Sequence, residues 1–347
     1  MSERVVPSPH LDALRRPLRD LRISVTDRCN LRCTYCMPQE TFGRDFIFLR
    51  HDDLLRFEEV IRVARQCVAL GVRKIRLSGG EPLLRRGIER LVEMLAKLTA
   101  VDGRPVEVAM TTNGTLLAKK AQTLKDAGLT RLNVSLDALD GEVFRRATGS
   151  AAPVAAVLEG IAAAQAAGLA PLKVNAVVKR GINEDQILPL AAHFRHTDVI
   201  MRFIEYMDVG ESNGWRLDDV VTARDILASI HAQYPLRALD PQYPGEVAQR
   251  WAYVDGGGEI GVIASVSHAF CHDCSRLRLS TDGKLYTCLF ANAGHDLRTP
   301  LRNGEDDDAL RARIARIWQG REDRYSQLRH AMTEGCAGKI EMSYIGG

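Results

Sequence analysis

Three cysteines, Cys29, Cys33 and Cys36, form a C-x3-C-x2-C run directly after a strand-like segment at residues 21–26. Iron-sulfur clusters of the 4Fe-4S type take four thiolates, so a local set of three leaves one iron open to an outside ligand, where chemistry can occur. The competing reading is a zinc knuckle completed from a distance, although structural zinc favours C-x2–4-C pairs with a second pair far along the chain. A second set, Cys271, Cys274 and Cys288, is spaced C-x2-C-x13-C and again lacks an obvious fourth thiolate. If it holds a cluster, that open iron can bind substrate directly; His268 and His272 keep a structural zinc open as the alternative. Cys67 and Cys336 read as free thiols.

Cations accompany both sets. Arg276 and Arg278 share one face of an extended segment between Cys274 and Cys288. Arg22 lies in the strand before the first set, and Lys74 and Arg76 lie in a strand at residues 73–78. Guanidinium groups pair with phosphate oxygens through forked hydrogen bonds, so the coincidence of these patches suits a triphosphate. Gly79-Gly80-Glu81-Pro82 closes that strand, and glycine there lets backbone approach a ligand closely.

The elements that must position these groups alternate. Leu54, Phe57, Ile61, Ala64 and Val68 follow helical spacing, with Asp52 and Asp53 as candidate caps and Gly71 as the stop. Strands are expected at residues 73–78, 106–111, 131–136, 172–178 and 199–206. With 21–26 that makes about six, the mark of a parallel α/β fold and too few for a closed eightfold barrel. Ile23 and Val25, Ile75 and Leu77, Leu132 and Val134, and Leu172 and Val174 share one face. The other carries Arg22, Ser24 and Thr26; Lys74, Arg76 and Ser78; Asn133 and Ser135; Lys173 and Asn175. Helices over the first face turn the second into a polar, cationic interior, a cavity for an anion. Beyond residue 220 come Pro235, Pro241, Pro244 and a glycine run at 256–258, with strand-like pieces near 261–267 and 276–280 and a helix at 310–318. The expected division is a flexible arm at 1–17, a partial (β/α)6 barrel at 18–225 and a smaller region at 226–347 closing the open side.

The chain has 347 residues, 46% hydrophobic and 26% charged, and a net charge of +3 that is too small to announce nucleic acid. The N-terminus has no apolar secretory core, and the alanine-rich stretch at 153–172 contains Glu159 and Gln165, which fits a buried helix rather than a membrane span. Clustered cysteines suggest metal ligation in a reducing compartment, hence a cytoplasmic protein.

The segment Thr26-Asp27-Arg28-Cys29-Asn30-Leu31-Arg32-Cys33-Thr34-Tyr35-Cys36 resembles the signature of radical S-adenosylmethionine (SAM) enzymes. That resemblance implies a partial barrel of the radical SAM kind, with the open iron chelated by SAM and a reduced cluster splitting the sulfonium to a 5′-deoxyadenosyl radical. Over almost the whole chain the sequence resembles the GTP 3′,8-cyclases of molybdenum cofactor biosynthesis. Matching segments are Arg19-Asp20-Leu21-Arg22, the cysteine loop through Met37-Pro38, Thr111-Thr112-Asn113-Gly114, Asn133-Val134-Ser135-Leu136-Asp137, Arg202-Phe203-Ile204-Glu205-Tyr206-Met207-Asp208, the C-terminal cysteines and the final Gly-Gly. Ser78 stands where relatives often have threonine.

By this resemblance Cys29, Cys33 and Cys36 hold the SAM cluster, with Tyr35, Gly80, Ser135 and Met207 lining the SAM site. Cys271, Cys274 and Cys288 hold a second 4Fe-4S cluster that meets the guanine base. Arg22, Arg76, Thr111, Lys173, Arg276 and Arg278 hold GTP, with Lys74 and Arg202 nearby, and the tail residues Gly346 and Gly347 reach the active site. The implied reaction is a lyase step in which hydrogen leaves ribose C3′ and the carbon radical attacks C8 of guanine, giving 3′,8-cyclo-7,8-dihydro-GTP. The resemblance also implies a homodimer, an external electron donor and a downstream pterin-forming enzyme, with neither nucleic acid nor membrane as partner. The alternatives are a radical SAM peptide-modifying enzyme with an auxiliary cluster and a non-enzymatic module with two zinc sites.

Overall fold

Strict alternation of apolar and polar residues commits each early strand to one buried face, and the intervening helices cover it. The structure, a computed structural model, describes residues 10–329 and 338–346. Six strands follow one another: β1 (Asp20–Ser24), β2 (Lys74–Ser78), β3 (Glu107–Thr112), β4 (Arg131–Ser135), β5 (Leu172–Val178) and β6 (Val199–Glu205). Six shorter ones come after: β7 (Leu236–Leu239), β8 (Gln249–Tyr253), β9 (Glu259–Ile263), β10 (Arg276–Leu279), β11 (Lys284–Tyr286) and β12 (His295–Asp296). All twelve join one open sheet in the order β12-β11-β10-β1-β2-β3-β4-β5-β6-β9-β8-β7.

The parallel part is longer than the six strands expected from sequence. β10 pairs parallel with β1, and β9 pairs parallel with β6, so eight adjacent strands run the same way. Neither added strand carries the βα alternation that marks parallel pairing, because each continues into antiparallel partners, β11 beside β10 and β8 beside β9. The C-terminal region therefore extends both edges of the sheet.

Leu21, Ile23, Ile75, Leu77, Leu132, Val134, Leu172 and Val174 are buried, as their parity predicts. The helix at Phe57–Ala69 packs on this face, but Asp52 and Asp53 do not cap it; they lie in a separate turn, His51–Asp53. Its N-cap is Arg56, whose backbone N–H donates to the Glu59 carboxylate at 2.7 Å, so the helix closes its own first turn with an acid three residues in. Residues 153–172 give the helix Val154–Ala166 and then β5; among the described residues no helix is long and apolar enough to cross a membrane.

Residues 10–17, expected as part of a flexible arm, are instead folded onto the C-terminal region, while residues 1–9 lie outside the described residues. Arg16 and Asp12 form a buried ion pair at 2.6 Å, and Arg16 donates to the carbonyls of Cys271 at 2.8 Å and Asp323 at 2.7 Å. Three hydrogen bonds on one desolvated guanidinium explain why this short stretch is held in place. Trp318, at the end of the helix Asp307–Gln319, donates to the carbonyl of His10 at 3.1 Å and secures the same contact.

Candidate active site

The inner face of the sheet surrounds a cavity of about 360 Å³. Strand register stacks its lining in levels. Arg278, Arg22 and Arg76 lie side by side on β10, β1 and β2. Two residues nearer the C-terminal ends, Thr111, Asn133 and Lys173 align across β3, β4 and β5. Asn175 aligns with Arg202 and Gly261 across β5, β6 and β9. A Cβ on Gly261 would lie 3.0 Å from the Arg202 side chain, so glycine there leaves the guanidinium room to lie along the wall.

Both cysteine sets open onto this one cavity. Cys29, Cys33, Cys36, Tyr35, Gly80, Ser135 and Met207 line it at the C-terminal ends of the strands. Cys271, Cys274 and Cys288 line it from the two sides of β10, with Arg22, Lys74, Arg76, Thr111, Lys173, Arg202, Arg276 and Arg278 also on the wall. Of the tail residues expected at the site, Gly346 touches the cavity wall without being part of its lining. Gly346 is buried against Ser78, and its carbonyl accepts from Arg278; Gly347 lies outside the described residues. Cys67 is buried in the helix Phe57–Ala69, away from the cavity, and Cys336 lies outside the described residues. His268 and His272 do not line the cavity; His272 faces Asp273 at 2.9 Å on the exterior.

The cations are crowded and partly stripped of water. Arg22 is held well below the usual guanidinium range by burial and by Arg278, Arg276 and Arg76. Burial lowers Arg202 to about 10, with Arg76 adding repulsion, and burial with Arg202 lowers Lys173 to about 8. Arg76 donates to Thr111 Oγ1 at 3.1 Å, and Arg202 donates to Asn175 Oδ1 at 3.0 Å. With its amide oxygen turned inward, Asn133 accepts from Arg76 at 3.2 Å and Arg202 at 2.7 Å. Neutral amides fix the geometry of these cations without cancelling their charge, which leaves the charge for an anion. A specific outcome follows for Lys173. A polyphosphate binds its charged form, so affinity should hold below about pH 8 and fall above it as the free amine loses its proton, by up to about tenfold per pH unit. Titration calorimetry across that range checks this, and Lys173→Arg should abolish the fall.

Several site residues carried no sequence assignment. Asp137 Oδ2 accepts from the Tyr35 hydroxyl at 2.9 Å and Oδ1 from the Val177 amide at 2.9 Å; burial raises its carboxyl to about 6. Glu81 accepts from Thr112 Oγ1 at 2.7 Å and the Asn113 amide at 2.7 Å, with burial raising it to about 7. Both stand in segments whose pattern was legible, but nothing in the pattern marked them as struts. Arg321 had no sequence signal at all. It donates to Cys274 Sγ at 3.1 Å and to the Cys274 carbonyl at 2.6 Å.

The two thiol sets differ in their surroundings. Burial pushes Cys29 up to about 11 and Cys33 and Cys36 well above the usual thiol range. Burial also opposes ionisation of Cys274, but Arg276 and Arg321 outweigh it and bring that thiol down to about 6. Among the described residues no group of three or more His, Cys, Asp or Glu side chains is disposed to hold a metal ion. A single ion draws its ligands to one point, whereas each cluster thiolate meets a different iron. The donor set fits a cluster: three thiols per loop, N–H groups of Leu31 and Phe290 directed at Cys29 and Cys288 sulfur at 3.4 and 3.5 Å, and room at Gly80 for the first loop.

The family comparisons agree with this geometry. A family model described as Radical SAM superfamily matches residues 23–194, and one described as Molybdenum Cofactor Synthesis C matches residues 199–327. The chain is similar to a GTP 3′,8-cyclase of Acidothermus cellulolyticus at 53% identity, covering 98% of this chain and 99% of the relative. It is also similar to one of Xanthomonas axonopodis pv. citri at 51%, with coverage of 98% and 99%, and to one of Staphylococcus haemolyticus at 47%, with 97% and 98%. Among solved structures, Streptococcus suis SuiB bound to S-adenosylmethionine has a TM-score of 0.60 at 14% identity, covering 95% of this chain and 72% of that one, which is a likeness of fold. With relatives this similar over nearly the full length of both chains, the protein belongs to the GTP 3′,8-cyclase family of radical SAM proteins.

Proposed function

We propose that this chain is a GTP 3′,8-cyclase, a lyase that converts GTP to (8S)-3′,8-cyclo-7,8-dihydroguanosine 5′-triphosphate in the first step of molybdenum cofactor biosynthesis. The observation that carries the reading is a single cavity into which two cysteine triplets and a wall of desolvated, mutually repelling cations all open. Cys29, Cys33 and Cys36 would hold a 4Fe-4S cluster, and Cys271, Cys274 and Cys288 a second one. With SAM bound, the first cluster supplies the one-electron cleavage of the sulfonium that yields a hydrogen-abstracting carbon radical.

The chain's own residues do the rest. Tyr35, held by Asp137, joins Gly80, Ser135 and Met207 around SAM. Arg22, Arg76, Thr111, Lys173, Arg276 and Arg278 draw in the triphosphate, helped by Lys74 and Arg202, and fix the ribose relative to the first triplet. C3′ gives up hydrogen and bonds to C8, and one electron and one proton complete the product. Walls from eight parallel strands limit the access of water to the radical's path. Gly346 and Gly347 would close the site from the tail side. The barrel at 18–225 serves SAM and the region at 226–347 serves guanine; the working enzyme would be a cytoplasmic homodimer, fed by an external electron donor and followed by a pterin-forming enzyme.

The test is anaerobic reconstitution with iron and sulfide, then SAM and a strong reductant, comparing 5′-deoxyadenosine release with GTP, ATP and no nucleotide. Release that rises with GTP alone, with a cyclised product of unchanged nucleotide mass, is the expected result. Release indifferent to nucleotide overturns GTP as substrate, and no release from a protein with intact clusters overturns the radical SAM reading.

A further inference from the structure

The level that holds Arg278, Arg22 and Arg76 continues around the sheet. Arg76 aligns with Ala109 on β3, and Ala109 with Arg131 on β4. Ala109 is fully buried and does not line the cavity, so Arg131 is the next cation after Arg76 along this level. The next level toward the N-terminal ends of the strands reads Arg276, Asp20, Lys74, Glu107. Its charges alternate in sign, so it is largely self-neutralised.

Glu107 takes two cations at once, Lys74 at 3.1 Å and Arg131 at 3.0 Å. One carboxylate shared by two cations gives neither a partner of its own and holds the Arg131 side chain in place. Nothing in the sequence patterns singled out Arg131, yet it lines the cavity with Lys74. The loop between β7 and β8 covers this end. It contributes Tyr243, whose ring centre lies 5.9 Å from the Lys74 ammonium, and Glu246. A Cβ on Gly245 of the loop would lie 3.0 Å from the Asp273 carbonyl, so the loop also abuts the second cysteine segment.

We propose that Arg131 reads the terminal phosphate of the nucleotide and sets a preference for a triphosphate over a diphosphate. This rests on the nucleotide reading above and adds a determinant of length to it. A diphosphate satisfies the cations of Arg22, Arg76 and Arg278 and ends short of Arg131; the third phosphate reaches past Arg76 and meets a guanidinium already oriented by Glu107. Its forked donors suit two oxygens of a terminal phosphate.

Titration calorimetry with GTP and with GDP, on anaerobically reconstituted wild type, Arg131→Ala and Arg131→Lys, tests this. Wild type is expected to prefer GTP. Arg131→Ala should narrow the GTP-to-GDP ratio about tenfold with GDP affinity unchanged, and Arg131→Lys should fall between. Unchanged iron content in both variants shows that the site is intact, and the lysine variant keeps the test open if alanine disturbs folding. An unchanged ratio, or equal weakening of both nucleotides, overturns the role of Arg131 alone. Wild type that binds neither nucleotide overturns the cyclase reading and this proposal together.

Discussion

Arg278→Ala is expected to weaken GTP binding about a hundredfold, about 3 kcal/mol, while both clusters persist. The side chain is buried at 4% exposure, level with Arg22 and Arg76. Burial, with repulsion from Arg276, lowers its guanidinium to about 10. The nucleotide-free site therefore holds repulsion that a polyphosphate relieves, and most of the loss on removing one cation falls on the complex. The free protein loses the donor to the Gly346 carbonyl but gains relief at Arg22, where Arg278 ranks after burial in depressing the pKa. Its melting temperature without nucleotide is expected to change little. Calorimetry for GTP, iron analysis and a melting curve on the same preparation separate these effects. Arg278→Lys should recover part of the affinity, because a point charge keeps the attraction and loses the fork. Unchanged GTP affinity in the alanine variant would contradict the triphosphate role.

Much of this site was legible before any coordinates, and the reason is periodicity. A parallel strand covered by helices on one side sends every second residue inward, so Arg22, Arg76, Asn133 and Lys173 could be placed on the inner face by counting. The cysteine loops were legible because thiols at close spacing have few other uses. Asp137, Glu81 and Glu107 were harder, since an acid inside a basic cavity declares its role only through the partner it meets across the sheet. Arg131 was counted as a strand end, and its partner Glu107 lies on a different strand. Arg321 and Arg16 reach the second cysteine loop from opposite ends of the chain, contacts that no local pattern encodes. The parallel pairing of β9 and β10 escaped for a related reason, because each is short and reads locally as one arm of a hairpin.

Gly80→Ala is expected to remove the first cluster and leave the second. The turn after β2 lies directly on the first cysteine loop: the Gly80 amide donates to the Thr26 carbonyl at 2.8 Å and the Glu81 amide to the Arg28 carbonyl at 2.8 Å. A Cβ at position 80 would meet the Arg28 carbonyl group, 2.5 Å from its carbon, and lie 3.0 Å from the Cys29 nitrogen. All of these neighbours are backbone atoms, so no rotamer change makes room and the peptide carrying Cys29 must move. Moving one of three thiolates in a loop that already supplies the minimum set leaves too few ligands to retain iron. Iron per chain should fall to about half, and reductive SAM cleavage should disappear. The wall of cations is untouched, so GTP should still bind, the reverse of the pattern for Arg278→Ala. Full iron content with normal SAM cleavage in the Gly80→Ala protein would mean that the first cluster does not depend on this turn. Loss of GTP binding in the same protein would mean that the two ends of the cavity are not independent.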